Sequence, residues 1–196
     1  MTQALLHDGE LLIPDMTDDE FFEFCVRNRD HRIERTADGR VIIMSGTGAK
    51  TGSRNSEISS QLHVWTRRDG RGVAFDSSTG FHLPNTAIRE PDAAWVSRLR
   101  TAQISDHQKE RFLPLCPDFV IELLSPSDRE QDAKLKMTEY MANGSKLGWL
   151  IDPAARCVTI FREGATETLE SPAQIAGEGP VAGFVLDLTY VWDPGW

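Results

Sequence analysis

The sequence predicts an α/β fold of the mixed α+β kind, a central mixed sheet flanked by helices, and three features carry that prediction. Residues 119–124 and 147–152 are short runs that are apolar on both faces, the pattern of strands inside a covered sheet. A run with helical spacing lies between them, so strand, helix and strand form a crossover with parallel strands. Earlier in the chain, two alternating runs meet at Asp38-Gly39, which is the signature of an antiparallel hairpin.

Taken in order, Thr17-Asp18-Asp19-Glu20 is a capping-box pattern, and Phe21, Phe22, Phe24, Cys25 and Val26 after it predict a short amphipathic helix. Residues 31–35 and 40–44 are the two hairpin strands, which places Glu34 on a strand. The Gly-rich stretch from Ser45 to Ser53 reads as a loop. From Asn55 onward Ile58, Leu62 and Trp65 recur at helical spacing, giving a helix to about Arg68. Gly72 to Phe81 and Pro91 to Val96 read as paired strands separated by Pro84 and Asn85. Arg98 to Arg111 is polar, and helical or irregular. Pro117-Asp118 opens the strand 119–124, and Ser127-Asp128-Arg129-Glu130 is a second capping-box pattern for a helix to about Ala142 that Asn143-Gly144 ends. Strand is expected again at 147–152, at Cys157 to Glu163 and from Val181 to Trp192. No repeat or interior linker interrupts the chain, and residues 1–196 read as one domain.

Composition narrows the function classes. No apolar run approaches a membrane span, and the N-terminal residues lack the basic and apolar regions of an export signal, so a cytoplasmic protein is expected. The three cysteines are far apart and form no C-x-x-C pair, and none of the five histidines stands at metal-ligand spacing from another, which argues against a disulfide frame or a zinc site. A net charge of −9 opposes nonspecific grip on nucleic acid, although Arg67-Arg68-Asp69-Gly70-Arg71 and Arg98-Leu99-Arg100 are local basic patches.

Two acids stand out against their surroundings. Asp92 follows Pro91 and leads into the apolar run Ala93-Ala94-Trp95-Val96. Glu122 shares a strand face with Val120 and Leu124 in the most apolar strand of the chain, where a carboxylate is costly unless something cationic or a hydrogen-bond donor faces it. On the helix that follows, a step of about 100° per residue puts Lys136 at the edge of the arc that holds Ala133, Met137 and Tyr140, with Lys134 nearer the opposite side. Lys136 is therefore expected to face inward. One such acid alone reads as satisfying a backbone N–H or an arginine, but two in successive strands with a basic helix after the second favour a functional site; by periodicity alone Lys136 is equally read as covering apolar surface with its stem.

The segments Arg89-Glu90-Pro91-Asp92, Val120 to Asp128, Lys136 to Tyr140 and Gly148 to Pro153 resemble the Uma-two family of restriction-endonuclease-like proteins, which in turn resembles the PD-(D/E)XK nuclease superfamily. The similarity runs from about Met16 to Trp192 and takes in Ile33-Glu34-Arg35, Met44-Ser45 and Arg54-Asn55. It implies a restriction-endonuclease-like core ordered helix, three strands, helix, strand, with an N-terminal helix and hairpin and C-terminal strands added. Position by position, it implies that Pro91-Asp92 is the PD element and Glu122 the second acid, both holding Mg²⁺ or Mn²⁺. The pattern's lysine two residues after that acid is Leu124 here, and the matching basic residue is Lys136 on the next helix. Glu34 matches the family's first acidic position and is a candidate third carboxylate, with Glu57 an alternative. The activity implied is Mg²⁺-dependent endonuclease hydrolysis of DNA phosphodiester bonds, with a homodimer suited to cutting two strands. The contrasting reading is a catalytically silent binding module on the same fold.

Overall fold

Along the chain run β1 (Leu5–His7), β2 (Glu10–Leu12), α1 (Asp18–Arg27), β3 (Arg32–Arg35), β4 (Arg40–Met44), α2 (Ala49–Asp69), β5 (Gly72–Asp76), β6 (Phe81–His82) and β7 (Ile88–Arg89). There follow β8 (Ala93–Ser97), α3 (Arg98–Thr101), α4 (Asp106–Lys109), β9 (Phe119–Leu123), α5 (Glu130–Ala142), β10 (Leu147–Asp152), β11 (Cys157–Arg162), β12 (Ala165–Glu170), β13 (Gln174–Ala176), β14 (Val185–Asp187) and α6 (Thr189–Trp192). The structure, a computed structural model, describes residues 16–44 and 46–195 and the backbone of β1 and β2. Its residues group into two compact units that interleave in sequence.

The first unit comprises Met1–Gly46, Ser78–Glu90 and Ile104–Leu115. Its sheet has the order β1-β2-β4-β3-β7-β6, and every pairing in it is antiparallel. The hairpin falls where Asp38-Gly39 predicts it, with Gly39 at φ 85°, a conformation that glycine adopts without a Cβ penalty. The α1 capping box is also formed: Glu20 N donates to Thr17 Oγ1 and Thr17 N to Glu20 Oε2, at 3.3 and 2.8 Å. The buried residues Phe21, Ile33, Val41 and Ile88 make the core of this unit.

The second unit comprises Thr47–Ser77, Pro91–Gln103 and Cys116–Trp196. Its sheet, in the order β12-β11-β10-β9-β8-β5, is the mixed sheet the sequence predicts: β9 and β10 are parallel, and all the other pairs antiparallel. Alternation in β8, β9 and β10 sends Ala93, Trp95, Phe119, Ile121, Leu147, Trp149 and Ile151 to one face, where they bury against Ile58 and Leu62 of α2 and against Phe184, Leu186 and Val191. Aromatic rings dominate this core, Phe119 meeting Trp149 edge-on at 4.8 Å and Trp149 stacking on Phe184 at 5.7 Å. The opposite face is covered by α5, whose fully buried Met137 lies against the backbone of Gly148.

Four local expectations differ from the structure. Residues 72–81 are not one strand, because β5 pairs with β8 in the second unit while β6 pairs with β7 in the first. Helix α2 starts at Ala49, inside the stretch read as loop; a buried Thr51 and the bonds from Arg54 to Val191 and Trp192 carbonyls anchor its first turns. The second capping box does not form, since Asp128 Oδ2 accepts from Ser125 N at 2.7 Å and Ser127 Oγ meets Ser125 Oγ, leaving Arg129 as N-cap. The tail from 181 to 192 is a 3₁₀ turn, β14 and α6, held in the core by its apolar residues.

Candidate active site

The antiparallel register of β8 and β9 sets Ala93 opposite Ile121 and Ala94 opposite Val120. The pairing ends there, and Asp92 is the residue just before β8. Glu122 projects from the face covered by α5, which it shares with Val120 and Gly148.

Glu122 is 8% exposed, and a carboxylate so placed needs donors. Two come from successive turns of α5: Lys136 Nζ lies 2.8 Å from Glu122 Oε1, and Tyr140 Oη donates to the same oxygen at 3.0 Å. The spacing of four residues stacks these two side chains on one side of the helix, with the ammonium 5.9 Å from the Tyr140 ring centre. Lys134 points elsewhere and pairs with Glu130 at 2.6 Å on the exposed side. The helical phase read from Met137 and Tyr140 is thus the one observed.

Asp92 is 5% exposed. Its Oδ2 accepts from the backbone N–H of Leu123 at 2.8 Å, which ties the acid to the strand that carries Glu122. Its Oδ1 accepts from Asn55 Nδ2 at 3.2 Å. Asn55 falls on the stripe of α2 that continues through Ile58 and Leu62, so its inward position follows from the same periodicity that buries those residues. Its other polar atom, Oδ1, is buried and accepts no hydrogen bond.

Glu34 belongs to the first unit. There it is 2% exposed, paired with Arg89 Nη1 at 3.0 Å and accepting from Glu90 N at 2.9 Å. Glu57, in the second unit, accepts from Gln61 Nε2 at 2.7 Å. The basic patches gather where β8 ends, the opposite end from Asp92, and part of their charge is neutralised: Arg71 pairs with Asp69 and Arg100 with Asp118, each at 2.7 Å.

Hard oxygen donors are what Mg²⁺ and Mn²⁺ prefer, and Asp92 and Glu122 offer them. Among the described residues no group of three or more His, Cys, Asp or Glu side chains is placed to hold a metal ion. Two carboxylates are within the number that Mg²⁺ commonly takes from a protein, the rest of its shell being water and substrate phosphate.

Sequence reasoning named Asp92, Glu122 and Lys136 but assigned no role to Asn55 or the Tyr140 hydroxyl. The signal for Tyr140 was its i+4 spacing from Lys136; for Asn55 it was an amide on an otherwise apolar stripe.

The model of the Uma2 family, described as "Putative restriction endonuclease", matches residues 18–189. The chain belongs to that family. A crystal structure described as that of a putative nuclease belonging to DUF820 from Anabaena variabilis ATCC 29413 superposes with a TM-score of 0.69 at 20% identity, covering 82% of this Uma2 chain and 89% of the other. The likeness shows that the Uma2 chain and that protein share a fold. No curated protein matches it in sequence. Among the described residues no helix is long and apolar enough to cross a membrane.

Proposed function

We propose that this Uma2 protein is a Mg²⁺- or Mn²⁺-dependent endonuclease that hydrolyses phosphodiester bonds in DNA, acting in the cytoplasm as one nuclease domain and, for cuts in both strands, as a homodimer. The observation that carries the reading is the ion pair of buried Glu122 with Lys136, on the strand whose Leu123 N–H bonds to Asp92. Cores rarely keep such groups for stability, since a buried pair is commonly replaceable by apolar residues at no loss.

Asp92 and Glu122 would hold the cation, and a bound divalent ion supplies Lewis acidity toward a phosphoryl oxygen and a water acidic enough to act near neutral pH. The remaining parts are the chain's own. Lys136 brings a fixed positive charge to the site where negative charge develops on the scissile phosphate, and it does so from α5 because position 124 is leucine. Tyr140 fixes Glu122 by Oε1, while the Leu123 N–H and Asn55 fix both oxygens of Asp92, so neither acid must reorganise on binding. Glu34, which matches the family's first acidic position, is held within the first unit by Arg89 and the Glu90 N–H.

The test is incubation of the purified protein with plasmid and single-stranded DNA in Mg²⁺ or Mn²⁺. Cleavage is expected that EDTA abolishes, that Ca²⁺ does not support, and that Asp92→Asn and Glu122→Gln each reduce by about a hundredfold or more. Cleavage that survives Glu122→Gln, or that needs no divalent ion, excludes this centre as the catalyst. Inactivity on every substrate favours the silent binding module.

A further inference from the structure

The Asn55 amide has one end occupied and the other idle. Its Nδ2 donates to Asp92 Oδ1 at 3.2 Å, and its Oδ1 is buried with no donor in reach. A buried acceptor left unbonded is costly and uncommon, and turning the amide over does not relieve it. That rotation would set the amide oxygen against the Asp92 carboxylate, acceptor against acceptor, and would lose the bond that Nδ2 now makes. Asp92 therefore holds the amide with its oxygen presented beside the carboxylate. The segment bearing it is also fixed, because the neighbouring Arg54 is bonded to the backbone of Val191 at 2.7 Å and of Trp192 at 3.5 Å.

We infer that Asn55 Oδ1 is a neutral third oxygen ligand for the divalent cation at Asp92. The inference rests on the proposed metal-dependent reading and adds a residue to it. An amide carbonyl is a hard, uncharged donor of the kind that Mg²⁺ and Ca²⁺ sites accept beside carboxylates. It completes the protein's share of the shell without adding a third negative charge to two buried acids. It also explains why the idle atom is the oxygen and the occupied one the nitrogen: the N–H restrains the carboxylate while the C=O faces the ion.

Mn²⁺ alone is the probe, its binding followed by electron paramagnetic resonance and by isothermal titration without DNA. Wild type is expected to bind, Asn55→Leu to bind roughly tenfold or more weakly, and Asn55→Asp, which keeps an oxygen at the same place, to recover or exceed wild-type affinity. If Asn55 only restrained Asp92, the aspartate would lose the N–H, repel Asp92 and bind as poorly as the leucine; that result overturns the inference. So does wild-type affinity in both variants, and either outcome leaves the wider reading standing. Wild type that binds no Mn²⁺ removes the inference and the metal-dependent reading together. Should the variants fail to fold, crystals of wild type soaked in Mn²⁺ decide the matter: anomalous density is expected with Asn55 Oδ1 within coordination distance, and an ion on Asp92 with Asn55 outside that distance refutes it.

Discussion

Lys136 Nζ lies 2.8 Å from Glu122 Oε1, a salt bridge between the helix and the strand that precedes it, with the two side chains 16% and 10% exposed. The pair explains how a glutamate is tolerated in a strand whose every residue is buried. It also ties the charge of the site to the stability of the fold. Removing one member of such a pair leaves the other buried without its counter-charge, which costs far more than the pair as a whole contributes.

Lys136→Ala should therefore lower stability by about 3 kcal/mol, and Tyr140→Phe, which removes a neutral donor to a charged acceptor, by about 2 kcal/mol. Denaturant unfolding measures both. Because Glu122 is proposed to bind the cation, Mg²⁺ should restore more stability to Lys136→Ala than it adds to wild type, by replacing the missing positive charge. An equal Mg²⁺ effect on the two proteins would place the cation away from Glu122.

The fit of Gly72 against Trp95 gives a prediction about the sheet that carries the site. A Cβ at Gly72 would stand 2.1 Å from Cε2 and Cζ2 of the Trp95 indole, a ring that is 2% exposed and cannot swing out of the core. Gly72→Ala should destabilise the protein by about 2 kcal/mol through overpacking, measurable as a fall in Tm and in the denaturant midpoint. Unchanged stability would show that β5 or the indole shifts freely.

How much of this was legible in the sequence depended on whether a local pattern and the tertiary context agreed. At β9, α5 and β10 they agree. Two doubly apolar runs bracket a helix whose buried positions, Met137 and Tyr140, set the phase that turns Lys136 toward Glu122. At Ser127 they do not. The S-x-x-E pattern was present, but Asp128 bonds back to Ser125 N and closes a turn first, so the helix starts later. Glycines misled the reading of residues 45–53, where helix α2 is begun by long-range anchoring through Thr51 and Arg54 that no local propensity announces. In the tail, apolar residues at 181, 184, 186, 188 and 191 report burial without period, and burial alone does not distinguish a strand from a turn and a short helix. Asn55 was hidden for a related reason. Its position on the α2 stripe was readable, but the carboxylate it meets comes from a segment 37 residues further on.

The cysteines supply the last prediction. Burial pushes the Cys25 thiol up to about 12, with the nearby Glu90 charge adding to the rise and Arg35 opposing it. Burial likewise raises Cys116, partly offset by its hydrogen bonds with Ser145. A thiol whose pKa is higher folded than unfolded holds its proton more tightly in the native state. Its contribution to stability is thus complete below the ordinary thiol value of 9.0 and, for Cys25, is lost as pH rises from there toward about 12. Two results should follow. Native protein at pH 8.5 should be alkylated by iodoacetamide at Cys25 and Cys116 far more slowly than the denatured chain, because the thiolate is the reacting species. Unfolding free energy should also decline above about pH 9, with Cys25→Ser showing a shallower decline than wild type. Modification of native Cys25 at the rate of a free cysteine would refute the raised value, and identical alkaline slopes for the two proteins would show that other groups set the decline.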